Sequence, residues 1–568
     1  MYILGIHNAS DSGVCLIKNN QVVSAFNEER INRKKMYVGF PHKSLKRILK
    51  ENKLTLNKID YIAYGWCGKK NDISDYSIKF SQRLYEECKR DNRNLALINE
   101  RVKTENMRDN LRRIQFDDEC KKMKINQNKI IYLDHHQCHA WSAFSSSPFD
   151  KSLVFTLDGR GDLRSGLVAL ADKKKGLMEK NYLVSAFDGL GFLYGQITYY
   201  LGFTPHKHEG KVTGLAAYGN YKKTIKIFQN IVKVKNGNFR CKLGPYRPFY
   251  TNLSKDLLKK LKKFSKKDIA AGLQKHCEDL IVKWVKFWLK KNKNFKNICL
   301  AGGVFGNVKI NQVISEIKGV KNVYIFPHMA DGGIPYGSAS LGYFLKTGVS
   351  KVKFENMYSG LKFSEKEILK DLKKAKKYIK FNKIKDKSTY VAKKLCQNKI
   401  IGFFNGRMEY GPRALGNRSI LANARDKNIN TWLNKRLSRT EFMPFAPVTP
   451  VQYAKSCYLD WEENQIASKF MTITYNCKEK FIKNHPAVVH IDGTARPQII
   501  SKKDNPEYYE VVKKYCNMSG DSALINTSFN LHEEPIVCFP IDAIKSLIRG
   551  AIDILIIGNY QAVLKNKS

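Results

Sequence analysis

The sequence predicts an α/β protein of two domains. Three observations carry this. A strand–glycine loop–strand pattern opens the chain at residues 2–26 and returns at 152–171. Two further glycine-rich turns, AGGVFGN and ADGGIPYG, follow apolar runs and lead into helical spacing. After about residue 350 a lysine-rich helical stretch gives way to a new set of apolar strands, from KIIGFFNG to DILIIG. Strand ends that feed loops are where α/β folds place ligands.

In the first copy, strand 2–6 is followed by the loop Ser10–Gly13, strand 14–17, an Asn19-Asn20 turn and strand 22–26. Asn and Gly supply the positive φ that tight turns require. The second copy reads SLVFTLD, GRGD, SGLVALA. Two copies imply a duplicated α/β unit whose loops can offer backbone N–H groups to a phosphate. The glycines 302–306 and 332–333 end two more strands, and VKINQVISEI after the first of them has helical spacing. The runs KKLKKFSKK (259–267) and KDLKKAKKYIK (370–380) read as one-sided helices. Strands at 399–406 and 553–558, with a helix from about 541 to 549, mark the second α/β domain. The expected domains are 1–352 and 353–568.

A chain of 568 residues forms more than one domain and buries sizeable cores. Its formal charge of +49 raises a nucleic-acid partner, but the lysines are spread along the chain and often sit beside asparagine, as in KNKNFKN. That pattern fits solvated faces and a coding bias better than a nucleic-acid arm. The 13 cysteines include no CxxC pair, which fits a reducing compartment and argues against a cysteine zinc site. The N-terminal apolar run stops at His7, unlike a signal peptide, and no segment approaches the roughly 20 apolar residues of a membrane span. The expectation is a cytoplasmic protein without a membrane partner.

Three constellations carry chemistry. His135 and His139 are spaced i, i+4, so both imidazoles share one helix face within reach of one metal ion, and Asp134 can begin that helix. Asp158 at a strand end and Asp331 in a glycine-flanked loop are the candidate oxygen ligands. Such a set suits iron, manganese or zinc. The glycine loops, with Glu209 and Lys211 in HEGKVTGLAAYG, suggest a nucleotide cleft. The third constellation is an arginine island: six of the chain's 22 arginines fall between Arg407 and Arg439, and none lies between Arg247 and Arg407. A lysine-rich chain that concentrates planar guanidinium forks beside Gly406, Gly411, Pro412 and Gly416 is building an anion site, with a surface ion-pair network as the alternative. Arg496 in DGTARPQ, and Asn526, Ser528 and Asn530 in NTSFN, add donors suited to a phosphoanhydride or carboxyl phosphate.

Several segments run in the order of a known family: EERINRKK, DHHQCHAWSAF, LDGRGD, EGKVTGLAAYG, LAGGVFGN, ADGG, GRMEYGPRALGNRSILA, FAPV, DGTARPQ and NTSFNLHEEPIV. Across nearly the whole chain they resemble the O-carbamoyltransferases of the nodulation-factor, cephalosporin and tobramycin type. The resemblance implies an N-terminal actin/sugar-kinase-like duplicated domain, like the tRNA threonylcarbamoyl-transfer protein. It implies a C-terminal domain like threonylcarbamoyl-adenylate synthase. The second would convert carbamoyl phosphate and ATP (with Mg2+) to carbamoyl-adenylate and pyrophosphate. The first would move the carbamoyl group to an acceptor hydroxyl, on a sugar or natural product, and release AMP.

The resemblance also implies roles. His135, His139, Asp158 and Asp331 match the metal ligands, with iron(II) first and manganese or zinc as alternatives. Lys34, Lys35, Gly161, Glu209, Lys211 and Asn307 fall in adenylate-site motifs, with Lys35 and Glu209 as catalytic candidates, and His7 sits where the acceptor hydroxyl arrives. Arg407, Arg413, Arg418, Arg439, Arg496, Asn526, Ser528 and Asn530 match positions around ATP and carbamoyl phosphate. A homodimer is left open. Two departures bear on loop geometry: Glu533 replaces the usual Gly before Glu-Pro-Ile-Val, and Asn423-Ala424 replaces Asp-Pro. The competing functions are tRNA adenosine modification, which normally uses two separate chains; hydrogenase-maturation carbamoylation, whose larger proteins carry CxxC zinc fingers; and a nucleotide- or nucleic-acid-binding module without activity.

Overall fold

The computed structural model describes residues 1–66, 86, 92–354, 356–438 and 442–565. The chain forms two compact units. One comprises residues 1–23 and 38–353, the other residues 24–37 and 354–568.

The first unit is built on two five-stranded sheets. The first contains β1 (Tyr2–His7), β2 (Gly13–Lys18), β3 (Gln21–Asn27), β4 (Tyr61–Tyr64) and β5 (Ile130–Tyr132), in the order β3-β2-β1-β4-β5. The second contains β6 (Lys151–Gly161), β7 (Arg164–Asp172), β8 (Gly176–Ser185), β11 (Asn297–Ala301) and β12 (Asn322–Ile325), in the order β12-β11-β6-β7-β8. A two-stranded hairpin, β9 (Val232–Lys235) with β10 (Asn238–Cys241), lies between β8 and β11 in sequence. Each sheet therefore has its own first strand in the middle. Its second strand pairs antiparallel on one side, and its fourth pairs parallel on the other. The strand–loop–strand pattern in the sequence is this antiparallel pair, met twice.

The second pair differs from expectation at its turn. GRGD is not an open loop: β6 runs to Gly161, which pairs with Arg164 of β7, and Asp162 and Leu163 turn the chain at φ 49° and 61°. Two consecutive residues of positive φ define the tight hairpin turn that matches strand twist.

Two helices, His135–Ser146 and Ile334–Thr347, pack closely against each other. A Cβ on Gly337 would lie 2.2 Å from the Cys138 carbonyl oxygen, so the approach requires glycine. Ser145 Oγ and Tyr336 Oη, 2.9 Å apart, give the interface its buried polar contact. The two lysine-rich runs are not continuous helices. KKLKKFSKK breaks between Lys255–Leu261 and Lys266–Lys291, because the Ser265 side chain caps the second by accepting from the Asp268 N–H. KDLKKAKKYIK ends its helix at Lys374, and Ile379 then enters a strand paired with Leu564.

The second unit holds an eight-stranded sheet. Its strands are β13 (Ile379–Lys383), β14 (Ile401–Phe404), β15 (Arg418–Ala422), β16 (Ala446–Pro450), β19 (Gln498–Ile500), β20 (Leu524–Ser528), β21 (Ile554–Ile557) and β22 (Tyr560–Leu564). The order is β13-β22-β21-β14-β15-β20-β16-β19. The short pair β17 (Tyr475–Asn476) and β18 (Thr494–Ala495) stands apart from it. Val391, Leu395, Phe403, Leu421, Val448, Tyr508, Val512 and Leu524 form a buried core between the sheet and the helices Lys387–Cys396 and Pro506–Ser519.

Residues 24–37, which begin within β3, were expected in domain 1–352 but group with the second unit. Arg30 donates to the Gly411 carbonyl at 2.8 Å. Arg33 donates to the Pro535 and Ile536 carbonyls at 2.8 and 2.7 Å, and the Ala25 N–H to the Ser359 carbonyl at 3.1 Å. Charged donors on backbone carbonyls are strong enough to set where this short segment folds.

Candidate active site

In the first unit, three elements bring four side chains together. The Asp134 carboxylate accepts the Gln137 N–H at 2.8 Å and starts the helix His135–Ser146. One turn apart on that helix, the His135 and His139 rings have centroids 4.7 Å apart. Asp158 stands near the end of β6, beyond an apolar run that buries it, and Asp331 opens the short turn Asp331–Gly333 before the helix at Ile334. His135 Nε2 lies 3.3 Å from Asp158 Oδ2 and 3.7 Å from Asp331 Oδ1, and His139 Nε2 lies 3.2 and 3.6 Å from the same atoms. All four ligand atoms fall within 4.8 Å of one another.

These residues fit a divalent cation. Two imidazoles and two carboxylates are an open ligand set of the right donor type. His139 Nε2 makes no hydrogen bond despite its 3.2 Å approach to Asp158, and Asp158 Oδ1 is also buried without one. His135 Nε2 is within hydrogen-bonding distance of Asp158 Oδ2 at 3.3 Å, so both imidazoles and both carboxylates crowd one small volume. Burial alone would raise the Asp158 carboxyl, but His136, His135 and His139 outweigh it and hold it well below the usual carboxylate range. Burial alone would lower His135. The Asp158 hydrogen bond and the charges of Asp331 and Asp158 raise it instead to about 9. Two carboxylates held together, Asp158 buried and Asp331 half-buried, favour a positive partner, whether a proton on His135 or a cation.

The surroundings fix these ligands. The His135 N–H donates to Asp162 Oδ2 at 2.8 Å. A Cβ on Gly161 would sit 2.1 Å from His135 Cδ2, so Gly161 makes room for the imidazole. His7, at the end of β1, is fully buried, and neither of its nitrogens has a partner. Its ring centroid is 6.1 Å from that of His135 and 6.0 Å from that of Trp66. Burial lowers it to about 3, so it is a neutral base at pH 7.

The remaining first-unit candidates lie on nearby helices. Glu209 begins the helix Glu209–Ala216 and accepts the His206 N–H at 2.6 Å; burial raises its carboxyl. Lys211 is buried on the same helix. Asn307 caps the helix Val308–Ser315, and its amide donates to Gln274 Oε1 at 2.7 Å and Thr213 Oγ1 at 3.2 Å. Lys34 and Lys35, expected here, belong to the second unit, where Lys34 is exposed.

The second unit shows how the arginine island is built. Glu409 is buried, and its Oε1 accepts the N–H groups of Leu415, Asn417 and Arg418 at 2.8, 2.7 and 3.1 Å. Asn526 donates to the Ala414 carbonyl at 3.1 Å and to Gln498 Oε1 at 2.7 Å. Gln498 and Tyr358 donate to the Leu415 carbonyl at 2.9 and 2.8 Å. The GPRALGN loop is therefore held from within, and the backbone amides that could nest an anion already hold the Glu409 carboxylate.

The arginines divide by environment. Arg418 is fully buried. It donates to the Asn405 and Asn417 carbonyls, both at 2.7 Å, and stacks 3.7 Å from the Phe404 ring centroid, so these donors serve the loop. Arg425 grips Asp521 and Arg436 pairs with Asp553, which is the ion-pair alternative realised for these two. Arg407 donates to Ser24 Oγ at 3.2 Å and the Ser359 carbonyl at 2.7 Å. Arg413 is half-buried on the loop and Arg496 is half-buried between β18 and β19; Ser528 closes β20. Asn530 donates to the Leu531 and Glu534 carbonyls. Arg439 lies outside the described residues.

Sequence reasoning missed Asp162, His136 and Glu409. The second Asp of LDGRGD, the doubled His of DHHQ and the Glu inside the island were visible, but each acts through a contact that no spacing reveals. It also missed a buried charge ladder. Arg101, Glu105 and Asp109 occupy the inner face of the helix Asn92–Lys122, and Arg160 pairs with Glu105 and Asp109.

Comparison with known proteins supplies the class of chemistry for this chain. A family model described as Carbamoyltransferase N-terminus matches residues 2–340, and one described as Carbamoyltransferase C-terminus matches residues 392–564. The chain belongs to the carbamoyltransferase family and is a carbamoyltransferase enzyme. The uncharacterized protein MJ1051 of Methanocaldococcus jannaschii is 33% identical over 571 residues, 98% of this chain and 99% of that protein. Nodulation protein NolNO of Sinorhizobium fredii is 29% identical over 565 residues, 97% of this chain and 78% of that protein. Among the described residues no helix is long and apolar enough to cross a membrane.

Proposed function

We propose that the chain is an ATP-dependent O-carbamoyltransferase that works in two steps, with carbamoyl phosphate as donor and a hydroxyl of a sugar or natural product as acceptor. On this reading the two sheets of one strand order are the halves of a duplicated actin/sugar-kinase-type domain. The second unit is the threonylcarbamoyl-adenylate-synthase-like domain. The observation that carries the proposal is the cluster of His135, His139, Asp158 and Asp331 in a chain of the carbamoyltransferase family.

Activation is assigned to the second unit. Carbamoyl phosphate gives up its phosphate to water, and the carbamate oxygen attacks the α-phosphorus of Mg2+–ATP. Pyrophosphate leaves and carbamoyl-adenylate remains. Arg407, Arg413, Arg439 and Arg496 are assigned to the phosphates, where fixed positive charge offsets the charge that builds on the transferring oxygens. Glu409, Arg418 and Asn526 keep the loop in place for Arg413.

Transfer is assigned to the first unit. The acceptor oxygen attacks the carbamoyl carbon, the bond to the adenylate oxygen breaks, and AMP leaves. His7, neutral and buried, takes the hydroxyl proton on a ring nitrogen. Glu209, Lys211 and Asn307 are assigned to the adenylate. A divalent cation held by His135, His139, Asp158 and Asp331, iron(II) by preference over manganese or zinc, would supply positive charge to polarise the carbamoyl carbonyl or hold the phosphate.

Pyrophosphate release from ATP is the test. It should require carbamoyl phosphate, stop in Arg413→Ala, and persist in His139→Ala, which should lose only transfer to acceptor. Carbamoyl transfer without ATP, or loss of both half-reactions in His139→Ala with the fold intact, refutes two separate sites.

A further inference from the structure

His136 follows a metal-ligand candidate but lies about 100° around the helix from it, so it cannot share the face of His135 and His139. Its ring is fully buried and has a contact on each nitrogen. Nε2 lies 3.0 Å from the Arg164 carbonyl oxygen and 3.8 Å from Asp158 Oδ1. Nδ1 lies 3.3 Å from Thr156 Oγ1. The Thr156 hydroxyl also accepts the Leu167 N–H at 2.9 Å.

These contacts determine the tautomer. Nε2 faces two acceptors, so it carries the proton. Nδ1 is then an acceptor, and the Thr156 hydroxyl, already accepting from Leu167, directs its own proton to it. The chain of donors runs from the Leu167 N–H through the Thr156 hydroxyl to His136, and on from Nε2–H to the hairpin carbonyl at Arg164. The same ring nitrogen lies 3.8 Å from the one oxygen of Asp158 that makes no hydrogen bond, while Oδ2 faces His135 and His139 at 3.3 and 3.2 Å.

We propose that His136 is a positioning residue. Held by Thr156 as a neutral Nε2–H imidazole, it ties the β6–β7 hairpin to the ligand helix and fixes which oxygen of Asp158 is presented to the metal centre. Outer partners of this kind typically change metal affinity about 10- to 100-fold when removed. The inference rests on the metal reading given under the proposed function.

Titration of the full-length protein with Co2+ tests it, read by competition with a chelating dye and by the visible d–d spectrum. His136→Phe should weaken Co2+ binding about tenfold or more and shift the d–d bands. His136→Gln, which can place an amide N–H where Nε2–H stands, should recover most of both. Thr156→Val keeps the ring but removes the group that fixes its tautomer, and should weaken binding several-fold; it carries the test alone if His136→Phe does not fold. A wild type that binds no Co2+ sinks the metal reading, and this role with it. A wild type that binds Co2+ while His136→Phe and Thr156→Val match it in affinity and spectrum overturns the role of His136 alone.

Discussion

Gly161→Ala separates the steric design of the proposed metal site from general stability. Gly161 does not adopt positive φ, so alanine meets no backbone penalty there. The added Cβ would lie 2.1, 2.5 and 2.7 Å from His135 Cδ2, Cγ and Nε2, about 1.3 Å short of the 3.4 Å at which ordinary contact begins. The imidazole cannot retreat freely, because its ring lies edge-on to Trp66 with centroids 4.8 Å apart and its backbone N–H is tied to Asp162. A ligand displaced by about 1 Å exceeds the roughly 0.2 Å tolerance of a metal bond several-fold. Overpacking of this size costs about 1–3 kcal/mol of stability. The expected result is a fall in Co2+ affinity of about tenfold or more and loss of carbamoyl transfer, with carbamoyl-phosphate-dependent pyrophosphate release retained. Gly210→Ala is the control: its Cβ would meet nothing within 4 Å, and in the helix Glu209–Ala216 it should leave stability unchanged or raise it by up to about 1 kcal/mol. Wild-type Co2+ affinity and transfer in Gly161→Ala would refute the close packing of His135 on the hairpin.

Three further outcomes are expected. Glu409→Ala leaves three buried amides of the arginine loop without their acceptor; at about 1–3 kcal/mol per group, less what relaxation recovers, denaturant titration should show a loss of about 3 kcal/mol, with pyrophosphate release abolished. Glu533→Gly should stabilise the protein by about 1 kcal/mol in urea, because the left-handed φ of 59° costs a non-glycine residue about 1–2 kcal/mol and the exposed ion pair with His532, at 3.7 Å, returns less than that. In metal-free protein the raised value of His135, about 9 against roughly 6.5 unfolded, makes its pairing with Asp158 fully stabilising below pH 6.5. That contribution is lost as pH climbs through 9. Thermal melts across this range should show the loss, His135→Gln should flatten it, and Co2+, which must displace that proton, should bind more tightly as pH rises.

Much of the histidine–aspartate cluster was legible because its grammar is local. A helix that starts at Asp134 and carries His135 and His139 on one face follows from spacing and capping alone, and the structure has both. Asp158 ends an apolar strand, which is where a buried carboxylate stands out. Strands such as 399–406 and 553–558 were found within a few residues of Ile401–Phe404 and Ile554–Ile557. The lysine runs misled because periodicity does not show where a Ser265 cap or a partner strand at Leu564 interrupts it. The arginine island was visible as a cluster, but composition could not sort its members, since Arg418 and Arg413 share residue type and neighbouring motifs while Arg418 is fully buried and Arg413 only half-buried.

The sequence by itself determined the class of the protein, the two α/β units in outline, the histidine helix and the residues worth testing. These depend on short-range pattern: period, caps and turn residues within a few positions of one another. Only the tertiary structure decided that Asp158 and Asp331 converge on the histidines, that His136 and Asp162 stand behind them, that Glu409 occupies the nest inside the arginine loop, and that residues 24–37 fold with the second unit. Apart from the Glu409 nest, which closes over six to nine residues, each of these is a contact between distant segments, and all are set by which buried donors and acceptors can satisfy one another once water is excluded.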